Sequence, residues 1–117
     1  MPSKEGKCLA TIYLIAEEGF DPSPDGVALV LRGEERAERF RHLPVYGSLA
    51  SSSVRKLKTT MTALAKNGYV SFYAPPGSLG RYLLLTSLGE KEAKETLSHP
   101  IRRKPSRPTA PLFNERN

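Results

Sequence analysis

The stretch between Ser51 and Leu97 constrains the fold more than any other part of this 117-residue chain. It predicts, in order, a helix over 52–67, a strand over 69–73, a turn over 74–80, a strand over 81–86 and a closing helix. The first helix has apolar residues at helical spacing and an Asn-Gly pair at its end. The turn contains two prolines and two glycines between runs rich in aromatic and apolar residues. A β-hairpin between two helices is therefore expected in this half of the chain.

The first half of the chain predicts shorter helices. Four apolar residues recur at the spacing of one buried helix face: Leu9, Ile12, Tyr13 and Ala16. A short helix is expected over 27–31 with Asp25 as its N-cap, and one or two further helical turns over 34–42. Residues 43–47 predict a buried, extended connector, because Pro44 disfavours the helical region for the residue before it.

Together these elements predict an α+β fold of the winged helix-turn-helix kind, with three or four helices and a two-stranded β-hairpin wing. Residues 1–97 are expected to form this one domain. Residues 98–117 contain prolines scattered among basic residues without any period, which is typical of a flexible tail.

The charge of the chain is sorted by region. The net charge is +6, and residues 98–117 hold five basic residues and one acid, so +4 lies in the basic, Pro-rich tail. The first quarter is acidic and is not expected to face an anion; its acids are Glu5, Glu17, Glu18, Asp21 and Asp25. No acidic residue occurs between Glu38 and Glu90, whereas several basic residues do. A basic strip over a helix and a hairpin favours nucleic acid as the partner.

Several other classes of function lack a sequence signal. The single cysteine, Cys8, cannot form an intrachain disulfide and is expected to be a small buried hydrophobic residue. No cluster has metal-ligand spacing, no motif of nucleophilic or phosphate-transfer catalysis is present, and no apolar run approaches the roughly 18 residues of a membrane helix. We therefore expect a cytoplasmic protein that is not an enzyme and has no cofactor, metal or membrane partner.

The helix over 52–67 provides the candidate binding surface. Its outward face is predicted to carry Arg55, Thr59, Thr62 and Lys66, with Lys56 and Lys58 beside it and Ser51, Ser52 and Ser53 at its start. Cations and hydroxyls of this kind bind phosphate, and the helix N-terminus offers backbone N–H groups to an anion. The alternative is an ordinary solvated helix face. Binding is favoured because ordinary faces mix charges, and here no acidic residue lies at i+4.

The hairpin supplies the second candidate element. Tyr73, Leu79 and Arg81 flank its tip, where an aromatic or apolar side chain can stack on a base and an arginine can neutralise a phosphate. The alternative is a plain surface hairpin. Alternation does not decide whether Phe72 or Tyr73 points outward.

Three segments together resemble the RQC domain, the winged helix that follows the motor in RecQ-family DNA helicases. They are Val27-Ala-Leu-Val-Leu-Arg-Gly33, His42-Leu-Pro-Val-Tyr-Gly47 and the stretch from Thr60 to Gly89, which includes Asn67-Gly68-Tyr69-Val70 and Leu83-Leu-Leu-Thr86. The likeness covers about residues 9–97. Two departures are Ser48-Leu49-Ala50, where the family often has a Gly-Lys pair, and a Pro-Pro-Gly tip in place of an aromatic residue.

The resemblance implies binding to duplex DNA near a junction with single strands, with the wing able to separate strands. It implies that Ser51 to Ser53, Arg55 and Lys56 meet the DNA backbone, and that Tyr73, Leu79 and Arg81 belong to the wing. Since no helicase motor precedes the motifs, the expectation is a small stand-alone protein that binds DNA without unwinding it. RNA stays open as a ligand. The other hypotheses are a dimeric, sequence-specific transcriptional regulator and a protein–protein adaptor.

Overall fold

A computed structural model describes residues 3–77 and 80–99. Within them the chain forms four α-helices, one 3-10 segment and one antiparallel hairpin, so the α+β class is confirmed. The elements are α1 (Lys4–Glu17), α2 (Pro24–Arg32), the 3-10 segment (Glu35–Phe40), α3 (Val54–Lys66), β1 (Val70–Tyr73), β2 (Tyr82–Leu85) and α4 (Ser87–Leu97). The predicted wing residue Leu79 and all but Ser98 and His99 of the predicted tail lie outside the described residues.

Helix α1 forms the centre of the domain. It contacts α2, α3, α4 and β2, and most of its surface between Gly6 and Ile12 is buried. The buried surface of α1 is therefore wider than the single face that the sequence predicts. The prediction is wrong at Ala16, which is exposed. Cys8 is fully buried as predicted, and burial raises the pKa of its thiol to about 12.

Helix α2 begins at Pro24, three residues before the predicted start at Val27. Its N-cap is Ser23, whose side-chain oxygen accepts a hydrogen bond from the Gly26 amide at 3.0 Å. Pro24 occupies the first helical turn, where its fixed φ and missing N–H cost nothing. Asp25 is therefore inside the first turn, and its prediction as the N-cap is wrong.

The connector after the 3-10 segment is buried but not extended. Leu43 and Val45 are buried, yet the chain turns repeatedly: the Tyr46 amide donates to the Leu43 carbonyl at 3.1 Å and the Ser48 amide to the Val45 carbonyl at 3.0 Å. The extended prediction is therefore wrong. Consecutive turns keep these apolar residues against the core and still satisfy the backbone groups.

Two glycines fasten this connector to the end of α2. Gly33 and Gly47 both have left-handed backbones, with φ of 72° and 74°, and a Cβ on Gly33 would lie 2.9 Å from the Gly47 Cα. The Gly47 amide donates to the Val30 carbonyl at 2.9 Å, and the Tyr46 hydroxyl to the Glu34 carbonyl at 2.8 Å. Only glycine allows both the close approach and the backbone conformation. The Arg32-Gly33 and Tyr46-Gly47 pairs thus make contacts that stabilise the fold.

Helix α3 and the hairpin follow the sequence prediction closely. Ser53 caps α3, and Leu57, Met61 and Leu64 form its buried stripe. The strands pair antiparallel, with Val70 opposite Leu85 and Tyr73 opposite Tyr82 at the two ends.

The free edge of β2 receives one further bond, from the Leu83 amide to the Pro22 carbonyl at 2.8 Å. The loop before α2 is thereby attached to the hairpin.

Thr86 joins the hairpin to α4. Its hydroxyl donates to the Gly68 carbonyl at 2.6 Å and lies 3.1 Å from the Tyr69 carbonyl, while its oxygen accepts from the Gly89 amide at 3.1 Å. Gly89 is buried against the Tyr69 carbonyl, with no space for a Cβ. No helix among the described residues has the length and apolar character needed to cross a membrane.

Candidate nucleic-acid interface

The outer face of α3 is the largest basic surface formed by the predicted residues. Its exposed side chains are Arg55, Lys56, Lys58, Thr59, Thr62 and Lys66, so every predicted position on this helix is accessible to solvent. Arg55, Lys56 and Lys66 form no ion pair with any residue in the ranges 3–77 and 80–99. Three uncompensated cations on one short helix favour an anionic ligand.

Lys58 differs from its neighbours on α3. Its ammonium lies 3.0 Å from a carboxylate oxygen of Asp25, which comes from the first turn of α2. This pair arises because α2 and α3 pack side by side. One acid of the first quarter, Asp25, therefore lies at the basic surface. The absence of an acidic residue at i+4 does not ensure an unpaired lysine, because the partner comes from another helix.

The threonine hydroxyls of α3 are already engaged in the helix. Thr59 donates to the Arg55 carbonyl at 3.0 Å, and Thr62 donates to the Lys58 carbonyl at 3.1 Å. In this arrangement the oxygen lone pairs face solvent and the protons do not. A phosphate oxygen requires a donor, so each hydroxyl must rotate before it can bind one.

The start of α3 combines a capping serine with an anchoring arginine. Ser53 accepts from the Lys56 amide at 3.1 Å, which satisfies one of the amides that the helix end leaves unpaired. Arg32 donates to the Ser52 carbonyl and, at 2.7 Å, to the Glu34 carboxylate. Ser53 and the backbone of Ser52 thus position the helix. The remaining first-turn amides point out of its end, as in any α-helix. Ser51 is exposed beside them.

One aromatic residue of the hairpin, Phe72, lines the groove beside α3. Its orientation is the one that alternation along β1 does not decide. The guanidinium of Arg81 lies over the ring of Phe72, 4.6 Å from its centroid. Phe72 pairs with the buried Leu83 across the hairpin, so both lie on the side of the sheet that faces the core. Strand register, rather than alternation along β1 alone, decides this orientation.

An open groove of about 350 Å³ separates the hairpin from the helices. Its walls come from the start of α2, the middle of α3 and the hairpin, and they include Asp25, Lys58, Thr62, Phe72, Arg81 and Tyr82. The structure thus brings Arg81 and two of the predicted α3 residues to one place, together with a carboxylate and two aromatic rings.

Tyr73 is placed away from this groove. It lies on the opposite face of β1 from Phe72, its ring is 5.8 Å from that of Tyr82, and its hydroxyl donates to Asp21 at 3.3 Å. Partial burial, and then the Asp21 carboxylate, raise the pKa of the Tyr73 hydroxyl. Tyr73 therefore does not join the α3 surface.

Comparison with known proteins adds no further assignment. No protein-family model matches this chain, and no curated protein matches it. In the ranges that the structure describes, no group of three or more His, Cys, Asp or Glu side chains is arranged to hold a metal ion. The geometry of α3 and the hairpin is therefore the basis for a functional proposal.

Proposed function

We propose that this chain is a winged-helix protein of the RQC type that binds DNA, with α3 as the recognition helix and the hairpin as the wing. The order of elements supports this fold, as does the bond from β2 to the loop before α2. The residues that carry the resemblance, among them Gly33, Gly47, Thr86 and Gly89, support it too, because each makes a contact that joins two elements.

The observation that carries the proposal is the set of exposed cations along α3 that form no ion pair with the residues that the structure describes. Arg55 and Lys66 lie eleven positions apart, which at ~1.5 Å per residue separates them by about 16 Å along the helix. The major groove of DNA is about 12 Å wide. A helix of this length lying across the groove brings Arg55 to one phosphate backbone and Lys66 to the other. Lys56 adds a further cation at the first of these ends.

The chemistry of this surface favours contacts with the backbone over base readout. Lysine ammonium groups and an exposed arginine neutralise phosphates, whereas the Phe72 ring, which lines the groove beside α3, is covered by Arg81. We therefore infer modest sequence selectivity and no catalysis by this chain. Duplex or forked DNA is the proposed ligand.

Fluorescence anisotropy of the full chain with duplex, forked and single-stranded DNA of equal length, over a series of salt concentrations, tests this proposal. The double variant Arg55→Ala/Lys66→Ala is expected to lose two phosphate contacts, which reduces the slope of log K against log salt by about 1.8. The matched control is Lys91→Ala/Lys94→Ala, which removes the same charge from α4, a helix that packs mainly against α1.

A basic tail also binds DNA non-specifically, so its contribution must be separated. The substitutions Arg102→Gln, Arg103→Gln, Lys104→Gln and Arg107→Gln in the full chain remove four of its five cations. We expect the α3 variant to weaken binding in this background as well. Equal losses in the α3 and α4 variants would mean that net charge alone drives binding. Absence of binding after the tail is neutralised would favour the adaptor hypothesis.

A further inference from the structure

The carboxylate of Asp25 is the acidic group that lines the groove between α2, α3 and the hairpin. The groove also has two cations, Lys58 and Arg81. One of these is held by Asp25 at 3.0 Å, and the other lies over the Phe72 ring at 4.6 Å from its centroid. The other three cations of the α3 surface, Arg55, Lys56 and Lys66, have no such partner in the described part of the chain.

We propose that Asp25 is an internal competitor for phosphate: it occupies Lys58 in the free protein and thereby lowers the affinity of this surface for the DNA backbone. This inference rests on the proposed DNA-binding function and names a residue that regulates it. Asp25 presents to Lys58 the same kind of anionic oxygen that a phosphate presents. DNA must therefore displace the carboxylate, or leave Lys58 unused.

The position of Asp25 is set by the backbone rather than by its own side chain. Ser23 caps α2 and Pro24 fixes the first turn, which places Asp25 at the helix N-terminus. The positive end of the helix dipole interacts favourably with a carboxylate at this position. The fold of α2 therefore places the Asp25 carboxylate beside Lys58.

The ion pair between Lys58 and Asp25 is weak enough for a phosphate to replace the carboxylate. The side chains of Lys58 and Asp25 are 47% and 71% exposed, and ion pairs this accessible to water are weak. A phosphate can replace the carboxylate at little cost to the fold. At about 0.1 M salt the Debye length is about 10 Å, so Asp25 also repels any phosphate that enters the groove.

Asp25→Asn tests the proposal, because it keeps the shape of the side chain and removes its charge. Freeing Lys58 adds about one phosphate contact, which steepens the salt slope by about 0.9. At about 0.1 M salt the variant is therefore expected to bind duplex DNA roughly eightfold more tightly than the wild type does. At about 1 M salt the two proteins are expected to bind equally. The matched control is Glu92→Gln, which removes one exposed negative charge from α4.

A double-mutant cycle with Lys58→Ala assigns the gain to the ion pair. In the Lys58→Ala background, Asp25→Asn is expected to have a clearly smaller effect, because no lysine is released. Thermal melting of each variant by circular dichroism checks that the proteins are folded at the temperature of the titration.

The outcomes separate this inference from the proposed function. If the wild type binds DNA through Arg55 and Lys66, but Asp25→Asn behaves as Glu92→Gln does, Asp25 is not a competitor and only this inference fails. A gain of undiminished size in the Lys58→Ala background also overturns it, since general repulsion then explains the whole effect. If Arg55→Ala/Lys66→Ala leaves binding unchanged, the proposed surface itself is wrong.

Discussion

Replacing Thr86 by valine is expected to destabilise the domain more than its half-exposed position suggests. Its hydroxyl donates to the Gly68 carbonyl at 2.6 Å, and its oxygen accepts from the Gly89 amide at 3.1 Å as the N-cap of α4. Thr86→Val keeps the branched shape and removes both interactions. One side chain therefore joins the end of α3, the hairpin and the start of α4.

The expected loss follows from the two interactions. Removing an N-cap costs about 1 kcal/mol, and a lost hydrogen bond to a carbonyl costs about as much again. Thr86→Val should thus lower the free energy of unfolding by about 2 kcal/mol. For a domain of this size, each kcal/mol lowers the melting temperature by about 4–8 °C. A fall of roughly 8–16 °C is expected.

Urea unfolding followed by circular dichroism measures this loss directly. Thr86→Ser is the matched control, because it keeps the hydroxyl and removes only the methyl group. We expect the serine variant to retain most of the wild-type stability. Equal losses in the serine and valine variants, or a loss below about 0.5 kcal/mol in the valine variant, would show that the hydroxyl does not join these elements.

Two further predictions concern the core. Gly89→Ala places a Cβ against the backbone carbonyl of Tyr69 and should cost about 3 kcal/mol in urea unfolding. Gly80→Ala, whose Cβ meets no atom of the described residues within 4 Å, should cost little, and equal effects would contradict the close approach. Cys8 has a pKa of about 12 when folded and 9.0 as the ordinary value, so the unfolded chain loses its proton first as the pH rises. The contribution of Cys8 to the free energy of unfolding is therefore fully present below pH 9. Above pH 9 it falls by up to about 1.4 kcal/mol per pH unit until the pH reaches the folded pKa. Unfolding of Cys8→Ala should lack this component, and identical pH profiles would refute it.

Local signals predicted the second half of the chain well. Helix α3 has a serine cap, one apolar stripe and an Asn-Gly end, and the hairpin has a proline- and glycine-rich turn between apolar runs. Each signal acts within a few residues and agrees with its neighbours. The bounds of α3 and of both strands therefore differ from prediction by only one or two residues.

The incorrect predictions concern places where local signals compete or tertiary contacts decide. Ser23 and Asp25 are both good N-cap residues, and Pro24 selects the earlier one. The connector has an X-Pro pair that favours extension, but its backbone bonds to α2 make it turn.

The pairing of Lys58 with Asp25 and the orientation of Phe72 depend on how α2 and the hairpin pack against α3. No pattern along one element contains that information.

Four of the residues that carry the family resemblance make structural contacts and are distinct from the cations that carry the proposed function. Gly33, Gly47, Thr86 and Gly89 each hold two elements together, and none of them lies on the exposed face of α3. The resemblance therefore argues for the architecture, whereas the argument for DNA binding depends on the charges of α3. Changing Thr86 should lower stability without altering the salt slope of the folded protein, while changing Arg55 and Lys66 should do the reverse. A protein in which both substitutions altered both quantities would have its binding surface and its fold coupled, and assigning α3 as an independent recognition element would be wrong.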